Sequence, residues 1–238
     1  LNLPSCKKTS LKEFKIAIWS DDELAPVSQD ISERCVEVGE KLASSGATVS
    51  FSARPEHDFL KAEVNYQLLL QSVMQSGMSD EEFKHIEDIA ANLEPGDDSV
   101  EAILAKGTVL SHRNWIRQNY AREQIKISWS KFFEDWDLII CPQLATTAIE
   151  HNHKKISERT ITVDNQEQRY FQQIFWPGLA VNAHLPSTVF PTGLSTNNMP
   201  IGLQAIGGLY EDKKTIKFTE LFEDEFKSFV LPNLEETL

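Results

Sequence analysis

Apolar residues along the chain follow two rhythms. Short, nearly unbroken runs at Phe14-Lys-Ile-Ala-Ile-Trp19, Ala47-Thr-Val-Ser-Phe51 and Asp137-Leu-Ile-Ile-Cys141 predict buried strands. Ser187-Thr-Val-Phe190 and Ile201-Gly-Leu-Gln-Ala-Ile206 belong with them. Between the runs, apolar positions recur every three or four residues, as on a helix packed along one face. Ile31, Cys35, Val38 and Leu42 mark one such helix, which ends near Gly46. Residues 58–77, 80–93, about 113–136, 168–183 and 212–228 read as helices too, with a turn at Glu94-Pro-Gly-Asp-Asp98. Gln143 to Asp164 is polar and poorly periodic, and reads as a loop. Strand, helix and strand in succession over residues 14–51 predict parallel pairing with a right-handed crossover. The expected fold class is α/β, a mixed sheet flanked by helices.

Punctuation sharpens this picture at residues 185–207, where three prolines and three glycines bracket two of the apolar runs. Proline has no N–H to give a ladder and glycine lets backbones approach closely. Pro186, Pro191, Pro200 and Gly202 therefore suit strands that stop sharply and pack tightly.

Composition narrows the class. The 238 residues are 41% hydrophobic and 25% charged, which describes a globular protein with a sizeable core. Thirty-six acids against 23 bases give a net charge of −13, and the bases form no stripe, which disfavours direct contact with nucleic acid. No apolar run is long enough to cross a bilayer, so no membrane association is expected. Cys6, Cys35 and Cys141 lie far apart without a CxxC pair, which fits reduced thiols and a cytoplasmic location. Leu1 is not an initiator methionine, and the chain reads as part of a longer protein.

Candidate chemistry is sparse. Ser44-Ser45-Gly46 closes an amphipathic helix, where glycine serves as a left-handed cap. His151-Asn152-His153 has no acid or thiol at a metal-ligand spacing and reads as a solvated loop, so no metal is expected. Gly207-Gly208 lacks the later glycine and lysine of a phosphate loop. Trp115, Ile116, Ile125, Trp129, Phe132 and Trp136 fall near one stripe of a long helix and read as core.

Three stretches in register carry a family likeness. Val189-Phe190-Pro191-Thr192-Gly193 followed by Met199-Pro200-Ile201-Gly202-Leu203-Gln204-Ala205-Ile206-Gly207, with Leu185-Pro186 before and Glu211-Asp212 after, resembles the C-terminal end of the amidase signature family. Trp136-Asp137-Leu138-Ile139-Ile140-Cys141-Pro142 resembles its element of aspartate, apolar strand and proline. Leu11-Lys12-Glu13-Phe14-Lys15-Ile16-Ala17-Ile18 resembles the opening of its C-terminal half. His184 and Asn198 stand where the family usually has glycine. Asn198 tolerates a left-handed turn, whereas His184 puts the local pocket geometry in question.

The resemblance implies that residues 1–238 are the C-terminal part of a single amidase signature domain, its N-terminal catalytic half absent. Such enzymes cleave a carboxylic amide through a Ser-Ser-Lys triad in a Gly-Gly-Ser-Ser-Gly-Gly-Ser-like loop. No such run occurs here, so no catalytic residue is assigned and no cofactor is implied. Cys141, Pro142, Gln143 and Leu144, with Phe175 and Trp176, become the candidates to line the acyl side of a substrate site. The alternative for Cys141 and Trp176 is that they are ordinary buried residues. The implied partners are a small amide substrate and the missing N-terminal half, and pairing with a second copy stays open. A glutamine-hydrolysing subunit of a tRNA-dependent amidotransferase is the related alternative. That subunit usually carries an acid just before the position of Phe175-Trp176, and Gln172-Gln173-Ile174 is uncharged here, which favours a free-standing amidase. A non-catalytic remnant or interaction domain is the third reading.

Overall fold

The computed structural model describes residues 2–154 and 158–232, and these form two compact units, one from the described residues up to 55 and from 130 onward, the other from residues 56–129. The first unit holds a five-stranded sheet in the order β2-β1-β3-β7-β6. Its strands are β1 (Lys15–Ile18), β2 (Thr48–Ser50), β3 (Leu138–Pro142), β6 (Ser187–Leu194) and β7 (Pro200–Gly207). β1 pairs in parallel with β2 and with β3, as the strand-helix-strand pattern predicts. β7 runs antiparallel to β3 and to β6, so the sheet is mixed.

Burial of both faces explains why the strands read as unbroken apolar runs rather than alternating ones. Every residue of β3 is buried, as are Ile16, Ala17 and Ile18 of β1 and Leu203 to Gly207 of β7. Helix α1 (Gln29–Ser44) lays Ile31, Cys35, Val38 and Leu42 against the sheet, the stripe its spacing predicts. It stops at Gly46, whose φ of +90° is a left-handed cap. Helix α7 (Asp212–Phe226) places Phe218 and Phe222 against Phe190, with ring centroids 5.6 and 4.9 Å away, and Phe218 also meets Phe14 at 5.5 Å. The edge-on geometry of these rings adds to what their burial contributes.

Asp137 acts as a clamp at the entry to β3. Its carboxylate accepts the Lys15 N–H at 2.8 Å, while its own N–H donates to the Lys15 carbonyl at 2.8 Å. Lys8 and Lys214 approach the same carboxylate at 2.6 and 3.5 Å. One side chain thus sets the register of β1 against β3 and gathers two bases.

Two segments of the first unit depart from expectation. Within the predicted loop 143–164, β4 (Thr160–Val163) pairs with β5 (Gln166–Arg169) in an antiparallel hairpin. Thr-Ile-Thr-Val alternates with period two and buries Ile161 and Val163, while Asp164 and Asn165 adopt φ of 47° and 66°. Two left-handed residues make the two-residue turn whose twist suits a hairpin. The predicted helix over 168–183 consequently begins only at Phe175. A 3-10 segment (Tyr170–Ile174) follows the hairpin, and α6 spans Phe175–Ala183.

The second unit is helical: α2 (Phe59–Met74), α3 (Asp80–Ala91), α4 (Val100–Thr108) and most of α5 (His112–Asp135). Helix α4, capped by the Ser99 hydroxyl, falls in a stretch to which the sequence pattern assigns no element. It packs closely on α2, where a methyl on Gly107 would sit 2.9 Å from the Gln71 side chain. Of the predicted stripe, Ile125, Trp129 and Phe132 on α5 are buried and Trp115 and Ile116 are half-buried, while the half-buried Trp136 lies just past the end of the helix.

Candidate functional site

The carboxyl ends of β1 and β3 lie side by side, and the connections that follow them converge there. In open α/β sheets this end is where ligands bind, because the strands stop and their loops diverge. β1 delivers Trp19, whose N–H donates to the Ile140 carbonyl at 2.9 Å. β3 delivers Cys141 and Pro142, followed by Gln143, Leu144 and Ala145. α6 starts with Phe175 and Trp176, and the three aromatic rings meet edge to face. Trp19 lies 6.0 Å from Phe175 and 5.6 Å from Trp176, with 5.3 Å between the last two.

Side-chain amides and an indole tie the loop after β1 into this cluster. Gln168, Gln172 and Trp176 donate to the carbonyls of Pro26, Leu24 and Ala25 at 3.3, 3.1 and 3.0 Å. The Ser28 N–H donates to the Ala145 carbonyl at 2.8 Å, which joins the loop after β1 to the loop after β3.

Gln204 of β7 joins the two halves of the candidate set. It stands opposite Cys141 in the ladder and is buried. Its Nε2 donates to the Pro142 carbonyl at 2.9 Å and to the Trp176 carbonyl at 2.8 Å, while its Oε1 accepts from the Ser187 hydroxyl at 3.0 Å. These contacts engage both amide hydrogens and the oxygen, and the same side chain also reaches the Cys141 thiol.

Electrostatics at this end keep the thiols protonated. Burial pushes Cys35 up to about 12 and raises Cys141 well above the ordinary thiol value. Proximity to Cys35 raises Cys141 further, against the opposing hydrogen bond with Gln204 and the charge of Arg54. The Arg54 guanidinium stacks over Trp19 at 4.9 Å and donates to the Ile18 carbonyl at 3.0 Å. Burial draws its pKa below the usual value, opposed by Cys141, Cys35 and Asp22. Rings, thiols and a buried amide supply shape and hydrogen bonds rather than a base or a thiolate nucleophile.

Of the six residues singled out from the sequence, Cys141, Pro142, Phe175 and Trp176 are buried. Gln143 is half-buried and Leu144 is 44% exposed, so of the six only these two present accessible surface. Sequence reasoning passed over Trp19, Arg54 and Gln204. A glutamine inside an otherwise apolar strand is the signal that could have found Gln204, since a buried amide needs partners. His184 caps α6 at φ 56° and Asn198 turns between β6 and β7 at φ 60°, so both hold the left-handed conformation that glycine takes freely. His151 and His153 are exposed, as a solvated loop requires. Among the described residues no three of His, Cys, Asp and Glu gather as a metal site would need, and no helix is long and apolar enough to cross a membrane.

The family model for amidases matches residues 2–216. A curated relative from Halothermothrix orenii, a glutamyl-tRNA(Gln) amidotransferase component, is 23% identical over 226 residues, covering 88% of this chain and 45% of the relative. The chain thus spans about half the length of the curated relatives it matches. Among solved structures, the corresponding glutamyl-tRNA(Gln) amidotransferase component from Thermotoga maritima superposes with a TM-score of 0.67 at 18% identity, covering 99% of this chain and 49% of that one. Fatty acid amide hydrolase gives 0.63 at 17% identity, covering 94% and 42%. The shared fold and the match over residues 2–216 lead to one conclusion: this chain belongs to the amidase family, the amidase signature enzymes.

Proposed function

We propose that the chain is the substrate-shaping, C-terminal part of an amidohydrolase that cleaves a carboxylic amide to an acid and an amine or ammonia. In this reading residues 1–238 belong to one amidase signature domain, and a Ser-Ser-Lys triad from outside these residues performs the chemistry. The second serine attacks the amide carbonyl, its proton passes through the bridging serine to the lysine and back to the nitrogen, and the amine leaves as the C–N bond breaks and the acyl-enzyme forms. Water then releases the acid. Gln143 and Leu144 contact the acyl group. Cys141, Pro142, Phe175 and Trp176 hold those two in place through Gln204 and the aromatic cluster.

The supporting observation is the family match over residues 2–216 in a chain that spans about half of its relatives. The test compares this chain with the protein translated from the full reading frame. Nitroanilide hydrolysis is expected from the full protein and not from residues 1–238 alone. Turnover by the 238-residue chain, abolished by changing one of its own serines, would overturn the division of labour. Absence of turnover by the full protein over a panel of aryl, alkyl and primary amides would overturn the hydrolase.

A second reading, the glutamine-hydrolysing component of a tRNA-dependent amidotransferase, is favoured by the names of the matched relatives. The uncharged Gln172-Gln173-Ile174 segment favours the free-standing amidase. Glutaminase activity that appears only with partner proteins would select the second reading. A full reading frame without a Gly-Ser-rich loop and lysine would select the third, a non-catalytic remnant.

A further inference from the structure

Helix α3 is amphipathic yet none of its twelve residues is buried. Its apolar positions Phe83, Ile86 and Ile89 recur every three residues, and Phe83 and Ile89 are 40% and 41% exposed. Val100, at the start of the α4 helix on which α3 packs, is 44% exposed. A helix this short is marginal in water unless an apolar face is covered. Local chemistry holds it instead: Ser79 and Glu82 form a reciprocal capping box, the Glu82 N–H donating to the Ser79 hydroxyl at 3.3 Å and the Ser79 N–H to the Glu82 carboxylate at 3.0 Å. Lys84 then bridges Glu87 and Asp88, both at 2.9 Å.

Charge selects what this face takes. Asp80, Glu81, Glu82, Glu87 and Asp88 share the helix with a single lysine, in a chain of net charge −13. A second copy would bring the same acids against them, and nucleic acid or an anionic membrane would be repelled in the same way. A cationic amphipathic helix suits it, apolar residues meeting Phe83 and Ile89 while lysines or arginines meet the rim. We propose that α3 is a docking face for a cationic amphipathic segment of another polypeptide, distinct from the amide-cleaving function. The exposed area is small, which places the contact in the weak, transient class.

The test titrates the protein translated from the full reading frame with a fluorescein-labelled amphipathic leucine-lysine helical peptide, with a leucine-glutamate peptide as control. Saturable binding of the cationic peptide is expected, weakening as salt rises. Phe83→Ala with Ile89→Ala keeps helix propensity and should weaken it by about tenfold or more. Glu87→Lys with Asp88→Lys suits the carboxyl end of the helix dipole and should weaken it comparably. Glu220→Lys with Asp224→Lys makes the same change in net charge on α7 and should stay within about twofold of the parent. Equal losses from both charge pairs would reduce the effect to net charge and overturn the proposal. So would undiminished binding by the alanine pair, or a parent dimer that the alanine pair dissolves. Amide chemical-shift mapping supplies an independent reading, with perturbations expected on α3 and α4. Their clustering elsewhere would overturn the proposal even if a variant folded poorly.

Discussion

Replacing Gln204 by methionine isolates what the buried amide contributes. Methionine matches glutamine in length and volume, so packing against Cys141 and Val189, its ladder neighbours, changes little. What disappears is the Nε2 donor to the carbonyls of Pro142 and Trp176, at 2.9 and 2.8 Å, in a place water does not reach. Pro142 is left with an unsatisfied buried carbonyl at about 1–3 kcal/mol, while the Trp176 carbonyl keeps its helical bond within α6 and loses a second one of about 0.5–1.5, which makes roughly 1.5–4.5 kcal/mol in all. The third partner, Ser187, is exposed and can turn to solvent once the amide is gone, so its loss adds little. Urea unfolding followed by tryptophan fluorescence reads the difference. With a slope of about 3 kcal/mol per molar, a loss of about 3 kcal/mol lowers the midpoint by about 1 M. A Gln204→Met midpoint within experimental error of the parent would refute the claim that this amide joins β3 to α6.

Three further outcomes are expected. Ellman's reagent at mildly alkaline pH should titrate one thiol per native chain, the half-buried Cys6, and all three after denaturation, because Cys35 and Cys141 are buried and held as thiols. Rapid native reaction of two or more would contradict that burial. Burial lowers the His57 imidazole from 6.5 to about 4, against the opposing charge of Asp58, with Nδ1 3.1 Å from the Ser128 hydroxyl. The folded state thus resists a proton that the unfolded state accepts. Stability should be full above pH 6.5 and fall toward pH 4, by about 2 kcal/mol at most for a group partly reached by solvent. A pH-unfolding profile unchanged in His57→Gln would show that this histidine does not carry the loss. Gly193 sits at the β6 bulge with φ +112°, and the Arg34 guanidinium donates to the carbonyls on either side, Thr192 and Leu194. Gly193→Ala would force an L side chain into that conformation and against the guanidinium, so a loss of about 2–4 kcal/mol is expected in thermal or urea unfolding. A loss below about 1 kcal/mol would show that the bulge repacks readily.

Local chemistry carried much of the fold. Ile-Ala-Ile, Leu-Ile-Ile-Cys and Leu-Gln-Ala-Ile are buried strands because an apolar run between turn residues has few other stable homes, and Gly46 ends α1 because its backbone accepts a left-handed cap. The family was legible for a related reason: Asp137, Pro142, Pro200 and Gly202 are demanded by strand entry, strand end and close approach, and such backbone requirements leave marks at fixed spacings. The helix 168–183 misled because Gln166–Arg169 has no apolar face of its own. Its state was decided by pairing with Thr160–Val163 across the Asp164-Asn165 turn, and pairing is a property of two segments rather than one. The candidate site divides in the same way. Residues next to one another in the chain, such as Cys141 to Leu144 or Phe175 and Trp176, could be proposed from the sequence alone. That Gln204 would bind the carbonyls of both groups, that Trp19 would complete the ring cluster, and that Arg54 would lie over it were settled only in three dimensions. Side chains 28 and 62 residues apart along the chain meet only after the ladder between β3 and β7 has fixed which residues face each other.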